Sequence, residues 1–287
     1  MFRKSFFVAV LVLALVTMAC GININLPIRD IKTGPTQTDP INIPAPGSGV
    51  ANVTLNFGAG ELRLAPGAED ALVTGTATYN VADLKPEIIT DDNNIRIETG
   101  DLEIRGIPNF QRDVRNEWDL QFGETTMDLR INAGAYQGRF ELGGLSIRSL
   151  VVGDGAADVE LDFSEPNQVE MDALRYETGA SNVELSGLAN ANFGSMVFRS
   201  GAGDYTLDFS GELQRDASVD IQSGISQVRI IVPEGTSARV NFTGGLSNVN
   251  SQDAWQQNGN DYTLSGSGPT LTINVDMGAG NLELRNR

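Results

Sequence analysis

The chain has 287 residues, 40% of them hydrophobic and 7% aromatic, with 20 Lys+Arg against 37 Asp+Glu and a formal net charge of −17. That length buries one long core or two domains, and such acidity excludes a surface that holds nucleic acid or anionic headgroups by charge. Histidine is absent and cysteine occurs once, which removes the usual proton shuttle, the commonest zinc ligand and any internal disulfide.

Residues 1–20 read as a secretory leader. Arg3 and Lys4 supply the positive start, and Phe6 to Ala19 form an apolar run too short to span a bilayer. The run ends Leu15-Val16-Thr17-Met18-Ala19-Cys20. This resembles a bacterial lipobox, in which a small residue precedes a cysteine that becomes the lipidated first residue of the mature protein. Thr17 stands where leucine is usual. The alternative is a plain signal peptide or uncleaved anchor with an incidental cysteine. Lipidation at Cys20 would hold the protein on a bacterial membrane, in an extracytoplasmic place, by burying acyl chains. Residues 21–50 follow as a Pro/Thr/Gly-rich tether, with Thr33 to Pro40 and Pro44 to Gly49 lacking apolar periodicity.

Residues 51–125 form a variant N-terminal β module. Val53 to Phe57 and Glu61 to Leu64 alternate as strands do, Pro66-Gly67 turns the chain, and Ala71 to Tyr79 is β-branched. The stretch from Ile107 to Phe122 breaks the pattern with Pro108 and Trp118. It reads as an insertion loop or a short cap, with Trp118 packed into it.

Residues 126–287 form the solenoid proper, and the chain rewrites one pattern there and before it, seen most clearly in Ser200 to Phe209. Apolar residues stand five and three before a glycine and four and six after it. The pattern surrounds Gly58, Gly134, Gly155, Gly179, Gly201, Gly224, Gly245 and Gly278, with a shortened copy around Gly100. Spacings of 20–50 residues mark a solenoid or array, and alternation on both sides of each glycine is strand periodicity. One repeat is therefore strand, corner, strand and return loop. The glycine allows a sharp bend or an unusual φ. The expected fold is all-β, one elongated parallel β-solenoid with coils of about 20–24 residues.

Asn56-Phe-Gly-Ala-Gly-Glu-Leu-Arg-Leu64, followed by Ala71 to Tyr79 and Leu84 to Ile88, resembles the N-terminal module of bacterial toast-rack proteins. Gly179 to Leu185 and Met277 to Leu284 resemble adhesin-like domains and the C-terminal domain of LiaF-type envelope-stress proteins. The resemblance implies a right-handed, single-stranded parallel β-helix in the cell envelope, with adhesion or stress sensing as its role. It carries over no catalytic residue and no cofactor.

Carboxylates are the remaining candidates for chemistry. Asp158 and Asp204 stand three after their glycines, with Asn182, Gln227, Asn248 and Asn281 at the same place elsewhere. Stacked coils would make of them a polar ladder that satisfies turn groups. A calcium site is the weaker reading, with Asp154 and Asp162 near Asp158 as its best cluster. Glu160, Glu184 and Glu283, five after the glycine, project outward with Arg63, Thr206 and Arg229. Paired acids of this kind serve carbohydrate hydrolases and lyases, whereas outward charges on a solenoid are usually solvated. Tyr136, Tyr176, Phe198 and Tyr205 fall on inward positions. The segment from Asn248 to Ser267, with Trp255, departs furthest from the period, and excursions from a rigid scaffold often bind ligands. Trp255, Asp154, Asp158 and Asp204 are therefore the candidate ligand-binding residues of a non-catalytic module. Its partners would be a membrane, through the lipid, and an envelope or extracellular glycan or protein, with no nucleic acid.

Overall fold

The computed structural model describes residues 29–30, 32–100, 108–109, 114–252 and 254–287. In chain order the strands are β1 (Arg29–Asp30), β2 (Gln37–Pro44), β3 (Ala51–Pro66), β4 (Ala71–Tyr79), β5 (Pro86–Asp91), β6 (Asn94–Thr99), β7 (Pro108–Asn109), β8 (Asn116–Phe122) and β9 (Met127–Glu141). They continue as β10 (Ile147–Asp162), β11 (Ala173–Ser186), β12 (Ser195–Asp208), β13 (Ala217–Val232), β14 (Thr236–Ser251), β15 (Gln256–Asn258), β16 (Asp261–Leu264) and β17 (Ser267–Asn286).

The chain divides into two compact units, one of residues 1–32 and 103–113, the other of 33–102 and 114–287. In the first, β1 and β7 pair in parallel. The second holds a mixed 15-stranded sheet. Its centre is parallel, in the order β3-β9-β10-β11-β12-β13-β17-β14. The pairs at its ends are largely antiparallel: β2 with β4, β4 with β8, β5 with β6, β14 with β16 and β15 with β16.

Each central strand folds around its glycine, so that its two arms share one interior. In β12, Met196 and Phe198 before Gly201 and Tyr205 and Leu207 after it are all buried, and the Phe198 and Tyr205 rings meet edge to face at 5.3 Å. Phe198 also stacks on Tyr176 of the next coil at 5.7 Å. The interior is thus continuous within a coil and between coils, which is what lets repeats too small to fold alone stabilise one another. The inward positions expected from the repeat are the core: Val219, Ile221, Val228 and Ile230 of β13 are each no more than 1% exposed.

The corner glycines are needed for closeness. Their φ angles are not positive, which corrects the expectation of an unusual backbone there. A Cβ on Gly179 would lie 2.4 Å from the Gly155 carbonyl oxygen, one on Gly201 2.5 Å from that of Gly179, and one on Gly224 2.4 Å from that of Gly201. At these three corners no side chain fits against the preceding carbonyl unless the backbone shifts. Positive φ belongs instead to a second glycine two residues on, as at Gly203 (φ 149°), stacked against the Ser181 carbonyl.

Stacking order departs from chain order at the C-terminal end. β17 lies between β13 and β14, pairing in parallel with both, and its corner Gly278 sits between Gly224 and Gly245. Every repeat offers the same pattern to either neighbour, so the pattern alone does not specify which coil follows which. The outer coil is closed over part of its length by the hairpin β15–β16, which buries Trp255, Tyr262 and Leu264.

The N-terminal boundaries also shift. Residues 37–44, expected within the tether, form β2, with Ile41 and Ile43 each 2% exposed. Its prolines read as breakers, but β2 is an edge strand, where proline is tolerated. Beside β3 one coil is shared by two strands: β6 pairs with the first arm over Asn52–Asn56, and β8 with the second over Glu61–Pro66. β8 thus turns part of the expected insertion into a coil arm, with Trp118 buried against Phe57 at 5.1 Å. Because β3 pairs with β9 along both arms, the strands on either side of the expected boundary at residue 126 share one core.

Adding a methyl group at a corner should therefore cost stability out of proportion to its size. Gly179→Ala is expected to lower the unfolding free energy by roughly 1–3 kcal/mol. Gly153→Ala, where the nearest atom would be 3.9 Å from the new Cβ, should change it by less than about 0.5 kcal/mol. Urea unfolding of the two variants checks this, and equal effects would contradict the close-approach account.

Candidate functional site

The outward residues stack as the repeat requires. Three after the glycine, Glu61, Gln137, Asp158, Asn182, Asp204, Gln227, Asn281 and Asn248 stand in register across successive coils. Asp158, Asn182 and Asp204 are exposed. Five after it runs a second ladder: Arg63, Arg139, Glu160, Glu184, Thr206, Arg229 and Glu283. Neighbouring rungs lie about 4.8 Å apart.

Opposite charges meet along this second ladder. Arg139 Nε lies 3.2 Å from Glu160 Oε2, and Arg229 Nε lies 3.0 Å from Glu283 Oε2. The Arg139 and Glu160 side chains are 42% and 60% exposed, so this pair adds little stability. Glu283 is held below the usual carboxylate range by hydrogen bonds from Arg229 and then Arg285. An open groove of about 660 Å³ runs over this face, lined among others by Arg63, Arg139, Glu141, Glu160, Asp162 and Glu184. At its margin burial raises the Asp162 carboxyl pKa, with the Glu141 and Asp208 charges adding to the shift.

A second groove of about 480 Å³ lies before the corner and includes Glu177, Arg199, Gln222 and Ser200. Arg199 reaches Glu177 at 3.0 Å and Gln222 at 3.3 Å. Glu177 is shifted down, first by its bond from Arg175 and further by Arg199. Its position two before the glycine was not singled out by the sequence pattern, which fixes apolar rungs and leaves the polar ones free to vary.

Asp154 and Asp158 serve different sides of the wall. Asp154 turns inward and accepts hydrogen bonds from Tyr176 Oη at 2.7 Å, from Tyr136 Oη at 3.4 Å and from the Thr178 hydroxyl. Burial, reinforced by the Asp154 charge, pushes both tyrosine phenols far above their ordinary pKa. Asp158 faces out, 3.8 Å from Arg139. The two do not converge, and among the described residues no three His, Cys, Asp or Glu side chains are placed to hold a metal ion.

A column of buried hydroxyls continues this inner corner, with Ser200 and Ser223 at 2.7 Å and Ser223 and Ser226 at 2.6 Å. In the sequence this column appears as Thr178, Ser200 and Ser223, each just before its corner glycine. Trp255 is 5% exposed, a core side chain of the terminal coil, and its surface contributes little to either groove. Asp204 stands on the outer ladder between Asn182 and Gln227. Cys20 lies outside the described residues.

The raised Asp162 pKa has a definite sign. A carboxyl that holds its proton more tightly when folded makes the native state less stable as pH rises through its folded pKa, and the penalty disappears below its ordinary value of 3.8. Asp162→Asn should therefore melt at or above the wild-type temperature at neutral pH, with the gap closing as pH falls towards 3.8. A gap that widens on acidification, read from thermal melts at both pH values, would contradict the assignment.

Comparison with solved structures finds a provisionally named cell adhesion protein from Clostridium sporogenes at 18% identity and a TM-score of 0.47, covering 88% of this chain and 100% of that one. A provisionally named adhesin from Parabacteroides merdae aligns at 10% identity and a TM-score of 0.41, covering 89% and 99%. A provisionally named lipid-binding protein from Parabacteroides distasonis aligns at 10% identity and a TM-score of 0.40, covering 88% and 99%. Among curated proteins none matches. The profile of the N-terminal domain of toast_rack, DUF2154, matches residues 32–174 and again residues 166–231. The chain therefore belongs to the toast-rack family.

Proposed function

We propose that the chain is a lipid-anchored extracytoplasmic protein, held on a bacterial membrane through Cys20, whose folded part is a non-catalytic binding, adhesion or envelope-sensing module. The observation that carries this reading is the pair of outward ladders. They repeat similar polar side chains at a fixed rise over rigid coils, which suits an extended partner that itself repeats, such as an envelope or extracellular glycan or a protein strand. A net charge of −17 disfavours nucleic acid as that partner. No helix among the described residues is long and apolar enough to cross a membrane. A right-handed sense of the coils is part of the same reading.

A carbohydrate-active hydrolase or lyase is the second reading. Glu160 and Glu184 are adjacent rungs in the larger groove, and paired carboxylates are the groups such enzymes use. Against it, Glu160 is engaged by Arg139.

Two experiments test the proposal. Cys20→Ser should move the protein from the membrane fraction to the soluble one, and continued membrane association would refute the anchor. Incubation with cell-wall and extracellular polysaccharides should give retention without product, weakened several-fold by Asp158→Arg with Asp204→Arg. Product release abolished by Glu160→Gln or Glu184→Gln would establish the enzyme instead.

A further inference from the structure

We propose that the outer arm of β14, Leu246 to Ser251, is a self-association edge that pairs antiparallel with the same strand of a second copy. β14 pairs with β17 along both arms, but β16 covers only Ala238–Asn241 on its far side. Among the described residues nothing pairs with the far side of Leu246–Ser251, which leaves a row of strand donors and acceptors at the end of the stack.

Other sheet edges carry the usual protection. β2 has Asp39, Pro40 and Pro44, β5 has Pro86, Glu87 and Asp91, and β15 is three residues long. The β14 arm has none of these devices. From Val240 to Gln252 the sequence holds no charged residue and no proline. The facing arm of the next coil inward is neutralised too, because Glu283, in register with Asn250, is paired with Arg229 and Arg285. Leu246 is 86% exposed, in a column that Ala59, Ala135, Ala156, Ala180, Ala202 and Ala279 otherwise fill with alanine, except at Ile225.

Charge selects the occupant. Copies of a chain with net charge −17 repel one another wherever their acidic faces approach, and an uncharged edge is where they can meet. A basic partner would be drawn to exposed carboxylates such as Asp158 and Asp204 instead. Antiparallel pairing about a two-fold axis lets one strand supply both sides of the contact, and it covers Leu246. Six residues a side make a small interface, so the association is concentration-dependent.

Sedimentation velocity of the purified full chain tests this over about 1–500 µM, a range that brackets weak association. The sedimentation coefficient should rise from monomer to dimer. Asn248→Lys with Asn250→Lys should weaken dimerisation at least about tenfold, as should the matching Glu pair. A mixture of the Lys and Glu variants should dimerise again. If the lysine variant does not fold, Leu246→Ser and concentration-dependent hydrogen-exchange protection of amides 246–251 in the unaltered chain decide the matter. A monomer at every concentration, or a dimer indifferent to the edge variants, overturns the proposal, and capture of an unrelated extended peptide by a monomeric edge would replace it.

Discussion

Everything in the folded unit depends on how closely one corner can approach the next. With Gly179, Gly201 and Gly224 each within about a Cβ's reach of the preceding corner's carbonyl, both arms of a strand keep ladder spacing with their neighbours. A side chain there would force the arms to splay at the bend. The aromatic contact between coils would then go as well, since Tyr176 stacks on Phe198 only where successive corners superimpose. Corner packing and core packing are therefore one constraint seen from two sides.

The same constraint sorts the side chains by job. Residues beside the corner are pinned, and those just before it face inward as hydroxyls or as Asp154, where they satisfy one another away from water. Residues three and five after it face out and are free to vary in charge, which they do. A solenoid built this way separates its stability from its surface chemistry, and the outer ladders can change without disturbing the stack. The exception is at the ends, where a coil has one neighbour and must be covered. The antiparallel strands at the N-terminal end and the β15–β16 hairpin at the other are that cover, and the hairpin stops short of the outer arm of β14.

Much of this could be read from the sequence because the repeat is strict where physics is strict. The glycines mark the corners, the four apolar positions mark the core, and both outer ladders follow from counting along the strand. Trp118 was identifiable as packing because a solenoid has ends that must be closed. Less could be read where several arrangements satisfy the same pattern. The placement of β17 between β13 and β14 is one such case, since its corner is interchangeable with the others. β2 was hidden because two isoleucines between prolines make too short a signal. Asp154 resembled Asp158 as a residue type, yet a strand's alternation across the corner puts one inside and one outside. Trp255, in the longest irregular stretch, looked like a binding excursion, but its indole is the apolar lid of the last coil.

Residue-by-residue hydrogen exchange on the native protein tests most directly whether the corners bind both arms into one unit. Amides on either side of Gly179 and Gly201 should show matched protection, highest in β10 to β12 and falling towards β14 and β5, which have fewer neighbours. One arm of β11 or β12 exchanging freely while the other stays protected would mean that the corners do not hold the coils together, and the account would fail.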